Sequence, residues 1–253
     1  MQDRFTNKVA LVTGAGSPRG IGRATALALA REGASVVITD IVAENVERVT
    51  EELQALGPAL GVVADVRDKG AMERVVQSIT ERFGGLDILI NVAGLTRPTP
   101  LLDISEEEYD LVLGVNLKGT FLATQAAVPA MLQRGGGAIV SLSSVSGQRG
   151  GGVFGASHYS AAKAGIMGFT KAIARELTPR GIRVNCVAPS MVDTDITGGL
   201  LTEERKAELA KGTLMGRIAN VDDVVKCLLF LASDESGYLT GVTLDINGGM
   251  HLH

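Results

Sequence analysis

Short apolar, β-branched runs recur along the chain at 9–12, 36–38, 60–63, 88–90, 139–142, 184–187 and 242–246. Between most of them the apolar positions change to a helical period. Met72, Val75, Val76, Ile79 and Phe83, for example, fall on one stripe of a helix with charged residues between them. Strands that are apolar almost without interruption are covered on both faces. The pattern therefore predicts repeated βαβ units and an α/β architecture: a single-domain, Rossmann-type doubly wound fold with a seven-stranded parallel sheet and helices on both faces. No Pro- or Ser-rich linker divides the chain, and the glycine-dense stretches "RGGGA" and "GQRGGGVFGAS" adjoin strands and read as loops. One unit is expected over 1–253, and the glycines and charged helix of about 190–216 suit a movable cover.

Composition narrows the function classes. Hydrophobic residues make up 45% and charged residues 21% of 253, which suits one sizeable core. The 24 basic and 28 acidic residues leave a net charge of −4, with no electrostatic footprint for nucleic acid or an anionic membrane. Apolar runs such as "CLLFLA" are too short to cross a bilayer. Cys186 and Cys227 lack metal-site spacing, and the start "MQDRFTNKVALVTG" has no cleavable apolar segment. No metal is expected, and a reducing cytoplasm is the expected location.

Candidate chemistry begins at the first strand. "KVALVTG" runs into "AGSPRGIGRATALALAREG", a glycine-rich turn followed by a helix. Glycines let the backbone approach a phosphate, and a helix N-terminus offers unpaired N–H groups and the positive end of its dipole. Gly14, Gly16, Gly20 and Gly22 depart from G-x-G-x-x-G intervals, yet the strand before, the helix after and Asp40 at the end of the second strand favour a dinucleotide site. The cofactor contacts expected here are Gly14, Ser17, Arg19, Gly20, Ile21, Gly22, Asp40 and Ile41. Asp40 would accept from the adenosine ribose hydroxyl and repel a 2′-phosphate by roughly 1–4 kcal/mol per charge pair near 4 Å. NAD is favoured on that ground, while Arg19, whose guanidinium suits a phosphate, keeps NADP open. Further along, "HYSAAKAG" sets Tyr159 and Lys163 four positions apart, on one stripe of a helix. His158 has no ligand spacing and reads as a loop or cap residue, and His251 and His253 fall in a terminal tail.

Together these residues resemble the short-chain dehydrogenase/reductase family from Lys8 to the C-terminal "DINGGM". The family's T-G-x-x-x-G-x-G motif is similar to "TGAGSPRGIG", which carries Thr13, Gly14, Gly20 and Gly22 with two residues inserted. "NVAG" (91–94) resembles N-N-A-G, with Val92 for the second Asn. Asn116 in "GVNLKG" matches the family's helix asparagine, and "YSAAK" its Y-x-x-x-K. "PSMVDT" has Ser190 where the family more often has glycine, but keeps Thr194. The usual spacing from catalytic serine to tyrosine selects Ser146, whereas the strand-end pattern "IVSLSSVSG" aligns Ser144. Ser144 is preferred, because the glycine-rich segment after it can absorb two extra residues. Ser146 is the alternative.

The resemblance implies roles. Tyr159 would be the acid/base; its free pKa of about 10 requires a stabilised phenolate, which a neighbouring ammonium favours at about 1.4 kcal/mol per unit. Lys163 would supply that charge and hold the nicotinamide ribose. Ser144 would align the substrate oxygen, and Asn116 would support a water chain from Lys163 to solvent. Pro189, Val192 and Thr194 would face the carboxamide end of the cofactor, Asp65 and Val66 the adenine, and Asn91, Ala93 and Gly94 its inner side. The activity implied is the NAD-dependent interconversion of a small secondary alcohol, such as a polyol or sugar, and a ketone. A 3-oxoacyl-carrier-protein reductase using NADPH, with Arg134 and Arg180 as a carrier-docking patch, is the alternative. A non-catalytic redox sensor ranks below both, since sensing needs no proton-transfer residues. The family also implies a homotetramer that packs through the helices around 117–134 and 157–179.

Overall fold

Seven parallel strands form one sheet in the order β3-β2-β1-β4-β5-β6-β7, in a computed structural model that describes residues 3–252. Met1, Gln2 and His253 of the expected unit lie outside the described residues. The strands are β1 (Val9–Thr13), β2 (Ser35–Asp40), β3 (Ala59–Val63), β4 (Ile88–Asn91), β5 (Gly137–Leu142), β6 (Ile182–Pro189) and β7 (Thr243–Ile246). Six contain the apolar run read from the sequence, and β7 starts one residue inside its run of 242–246.

Helices α1 (Ile21–Arg31), α2 (Ala43–Gln54), α3 (Lys69–Phe83), α4 (Glu106–Leu113) and α5 (Gly119–Gln133) fill the first half of the chain. The second half adds α6 (Ser146–Arg149), α7 (Ser157–Leu177), α8 (Glu203–Ala210) and α9 (Val221–Ala232). Alternate strand residues point to opposite layers. Ala10 and Val12 of β1 join a core with Leu29 of α1, Val49 of α2 and Leu228 of α9. Val9 and Leu11 join another with Met72 and Ile79 of α3, Met131 of α5 and Leu177 of α7. Each fully buried Leu, Ile or Val in these layers stabilises the fold by about 1.5–3 kcal/mol.

Strand order reverses at β1, which pairs with both β2 and β4. Such a switch point opens a crevice at the carboxyl ends of the strands. Register places Thr13 opposite Asn91, and Asn91 opposite Ser141, so the chain leaves β1, β4 and β5 at one level. The glycine turn after β1, "NVAG" after β4 and the serine segment after β5 all begin there.

One element departs from expectation. A π-helical turn, Gly114–Lys118, joins α4 to α5 without a break. The resulting Glu106–Gln133 run is 28 residues, long and apolar enough by length and composition to cross a membrane. The apolar runs in the sequence looked too short because the polar residues of α4 interrupt them. Ala123, Ala127 and Met131 of this run pack against α3 and the sheet.

Candidate active site

The glycine turn is built by close backbone approach. Thr13 Oγ1 accepts from the backbone N–H groups of Val92 and Ala93 at 3.1 and 3.2 Å, joining the β1 and β4 loops. Gly14 sits there with φ of +66°, and a Cβ on it would come within 2.5 Å of Ala93 Cα. A Cβ on Gly22 would collide with the Gly14 carbonyl. These contacts explain why the turn uses glycine despite its unusual intervals. Gly20 precedes α1 with no side-chain cap, and the first turn holds no acidic residue, so the helix offers its N–H groups to an anion.

A cleft of about 380 Å³ opens above this turn. Gly14, Ser17, Gly20, Ile21 and Gly22 form its floor, Asp40 and Ile41 one end, and Asp65 and Val66 the wall beyond. Ala93, Gly94 and Thr194 close the other side. Asp40 also shapes the turn: Oδ2 accepts from Gly16 N at 2.9 Å and Oδ1 from Val42 N at 3.3 Å. Arg19 turns away, and its Nη2 donates to Asp193 Oδ1 at 2.7 Å. Asn91 points behind the cleft, with Nδ2 donating to Thr124 and Ser141 hydroxyls, both at 3.2 Å. Pro189 and Val192 line a neighbouring cavity of about 750 Å³ instead.

That second cavity contains Ser144, Ser146 and Tyr159, and meets the cleft at Ile21, Leu142, Thr194 and Ile196. Residues 149–155, from the end of α6 towards α7, and residues of the 190–212 segment form its sides. Tyr159 lies in the first turn of α7, and the Ser144 hydroxyl, in the same cavity, eases ionisation of its phenol. Ser144 Oγ also accepts from Ser146 N at 3.1 Å, so both serines belong to one turn. Lys163 lies one helical turn on, with Nζ 5.6 Å from the Tyr159 ring centroid and donating to Leu142 O at 2.7 Å. Asn116 is fully buried in the π-turn, and its Nδ2 donates to Leu95 O and Val112 O, both at 2.8 Å. Asn116 Oδ1 is buried with no partner among the described residues. A methyl group on Gly94 would lie 2.8 Å from that oxygen and 3.6 Å from Lys163 Nζ, so the three residues share one spot.

Comparison with known proteins gives this arrangement its family. A family profile described as enoyl-(acyl carrier protein) reductase matches residues 14–251. An uncharacterized short-chain type dehydrogenase/reductase of Sinorhizobium fredii is 46% identical over 248 residues, 97% of this chain and 98% of the relative. The chain belongs to the short-chain dehydrogenase/reductase family. A 3-oxoacyl-[acyl-carrier-protein] reductase FabG of Thermotoga maritima is 43% identical over 248 residues, covering 98% of this chain and 99% of the relative. A solved structure from Sinorhizobium meliloti, described as a short-chain alcohol dehydrogenase, aligns with a TM-score of 0.91 and 35% identity over 99% of this chain and 98% of that one.

A short-chain dehydrogenase/reductase is an oxidoreductase acting on CH–OH groups with a nicotinamide dinucleotide. The residues present fit that cofactor: the uncapped α1 start suits a pyrophosphate, the Asp40 carboxylate suits ribose hydroxyls, and Asn116 Oδ1 is a buried acceptor in want of a donor. Electrostatics at the tyrosine differ from the expectation that a neighbouring ammonium lowers the phenol. Burial pushes Tyr159 up to about 12, only partly relieved by the Ser144 hydrogen bond. Burial likewise pushes Lys163 down to about 7, so its ammonium is only half populated at neutral pH. Desolvation is the leading cause at both groups, with Lys163 buried and Tyr159 half-buried.

Several contributors escaped the sequence reading. Arg67 lines the cleft and pairs with Asp65 at 2.6 Å, which holds the Asp65 carboxyl below its usual range. Its position directly after the Asp65–Val66 pair was the available signal. Ser143 is buried, and its Oγ donates to Lys163 O at 2.7 Å, fastening α7 to the end of β5. His158, expected in a loop or cap, is buried in the first turn of α7, with Nε2 3.0 Å from Glu108 Oε1. Only folding brings α4 beside α7.

Proposed function

We propose that this chain interconverts a small secondary alcohol and a ketone with NAD, using Tyr159 as acid/base. The observation that carries the reading is Tyr159 and Ser144 together in the second cavity, which adjoins the dinucleotide cleft, with Lys163 Nζ 5.6 Å from the Tyr159 ring. Ser144 Oγ would bond the substrate oxygen and aim it at Tyr159 Oη, stabilising charge as it develops. Tyr159 Oη would give its proton to that oxygen in reduction and take it in oxidation. The nicotinamide supplies or accepts the hydride. Lys163 Nζ would bind the nicotinamide ribose and exchange its proton with a water chain to solvent, which Asn116 Oδ1, the orphan acceptor beside Gly94, would anchor by accepting a hydrogen bond. Asp40 at the cleft end favours a ribose over a 2′-phosphate, hence NAD.

A second reading has its own support. The second cavity is large, Arg149 and Arg205 line it, and the Thermotoga relative is named a 3-oxoacyl-[acyl-carrier-protein] reductase. An acyl thioester would fit there. Segment 190–216 would act as the lid. Association as a homotetramer would use α5 and α7, where Phe121 and Phe169 pack edge to face at 6.0 Å.

The test is Tyr159→Phe, assayed by nicotinamide fluorescence with NAD and NADP against polyols, hydroxy acids and oxoacyl thioesters. Turnover should fall by about 100-fold or more, the range for a lost acid/base, while dinucleotide affinity is kept. Near-normal rates would refute the role of Tyr159.

A further inference from the structure

We propose that Asp193 and Asp195, on the segment after β6, help set the dinucleotide preference of this site by keeping Arg19 from an adenosine 2′-phosphate. The inference rests on the NAD reading above, and adds to it a determinant far from Asp40 in sequence.

Asp40 and Arg19 pull in opposite directions when only their charges are considered. The structure shows what Arg19 is doing. Its Nη2 donates to Asp193 Oδ1 at 2.7 Å, and its Nε lies 3.6 Å from Asp195 Oδ1. Its backbone N–H donates to Asp195 Oδ2 at 2.9 Å, and Ser17 Oγ donates to the same oxygen at 3.0 Å. The Asp195 carboxylate thus takes loop donors of the kind that would otherwise meet a phosphate. Asp193 is anchored from the other side, where Lys206 Nζ of α8 donates to its Oδ2 at 2.6 Å. That bond and the Arg19 guanidinium hold the Asp193 carboxyl below its usual range, so it stays anionic at neutral pH.

A guanidinium matched by two carboxylates is not free to neutralise a third anion. A 2′-phosphate brings about two negative charges and three strong acceptors, into a cleft end that already holds Asp40. To bind it, Arg19 must leave both acids and expose them beside the incoming charge. A dinucleotide with a bare 2′-hydroxyl makes no such demand. Because the Arg19 side chain is 60% exposed, solvent and salt screen the effect, and it should be moderate.

The test separates this idea from the NAD reading by using ligands that need no turnover. Calorimetry would compare adenosine 2′,5′-bisphosphate with adenosine 5′-monophosphate on the wild type, on Asp193→Asn/Asp195→Asn, and on the same pair combined with Arg19→Gln. Binding of the monophosphate reports that each variant is folded, and the single Asp195→Asn variant serves if the pair is not. The double variant should shift the affinity ratio toward the bisphosphate by about tenfold, equivalent to about 1.4 kcal/mol. The Arg19→Gln change should remove that gain. An unchanged ratio, or a gain that survives without Arg19, overturns the proposal. A wild type that already prefers the bisphosphate defeats the NAD reading instead, and the dependence of the variants on Arg19 still decides this one.

Discussion

Lys163 can be tested through stability as well as rate. It is 3% exposed, and burial lowers its pKa from 10.5 to about 7. Keeping it charged inside the fold therefore costs about 4–5 kcal/mol, at about 1.4 kcal/mol per unit. Lys163→Met removes that cost but leaves Leu142 O, which accepts from Nζ at 2.7 Å, without its donor, a loss of about 1–3 kcal/mol. The net expectation at pH 7 and below is a variant more stable by about 1–4 kcal/mol, at about 2–4 °C in Tm per kcal/mol for a chain of this size. The sign reverses with pH. Between about pH 7 and 10.5 the unfolded wild type binds one more proton at this site than the folded protein, so wild-type stability rises with pH while the variant's does not. Tyr159, raised to about 12, opposes that rise only above pH 10. Thermal melts without dinucleotide at pH 6, 7, 8.5 and 10 should show the advantage of the variant shrinking across the series, together with loss of turnover. Parallel Tm curves for the two proteins would refute the burial argument.

Four further substitutions bear on the site. Ser144→Ala should lower kcat by about 100- to 1,000-fold, the range seen when a donor to a developing oxyanion is removed, whereas Ser146→Ala, measured in the same assay, should keep most activity. The reverse order would make Ser146 the substrate-binding serine. Gly94→Ala places a methyl 2.8 Å from Asn116 Oδ1, so kcat should drop with little change in Tm; a fully active variant would remove Asn116 from the proton path. Gly22→Ala drives a methyl into the Gly14 carbonyl, and overpacking of this kind costs about 1–3 kcal/mol, with dinucleotide affinity weakened in titrations.

Local order was legible in the residues. The inner strands announced themselves as short apolar runs, because burial on both faces leaves little place for polar side chains, while the half-buried edge strands β3 and β7 were legible from the same apolar pattern. Tyr159 and Lys163 were readable as a pair because their spacing fixes them on one helix face wherever that helix goes. The glycine turn was readable for a similar reason, since Gly14 needs a positive φ and Gly22 has no room for a Cβ. Asn116 was found only by resemblance, and nothing in "GVNLKG" foretold the π-turn that buries it and orphans its oxygen.

What the sequence determined by itself was therefore the set of elements, their alternation and the chemical types available, all consequences of contacts within a few residues. The tertiary structure decided which groups meet. It bound Arg19 to acids 174 and 176 positions away, put Asn91 behind the cleft, and set His158 against Glu108. It also decided that burial would move Tyr159 and Lys163 toward their neutral forms. Solvation and long-range pairing depend on what surrounds a side chain once the chain has folded, and that environment is not carried by its neighbours in sequence.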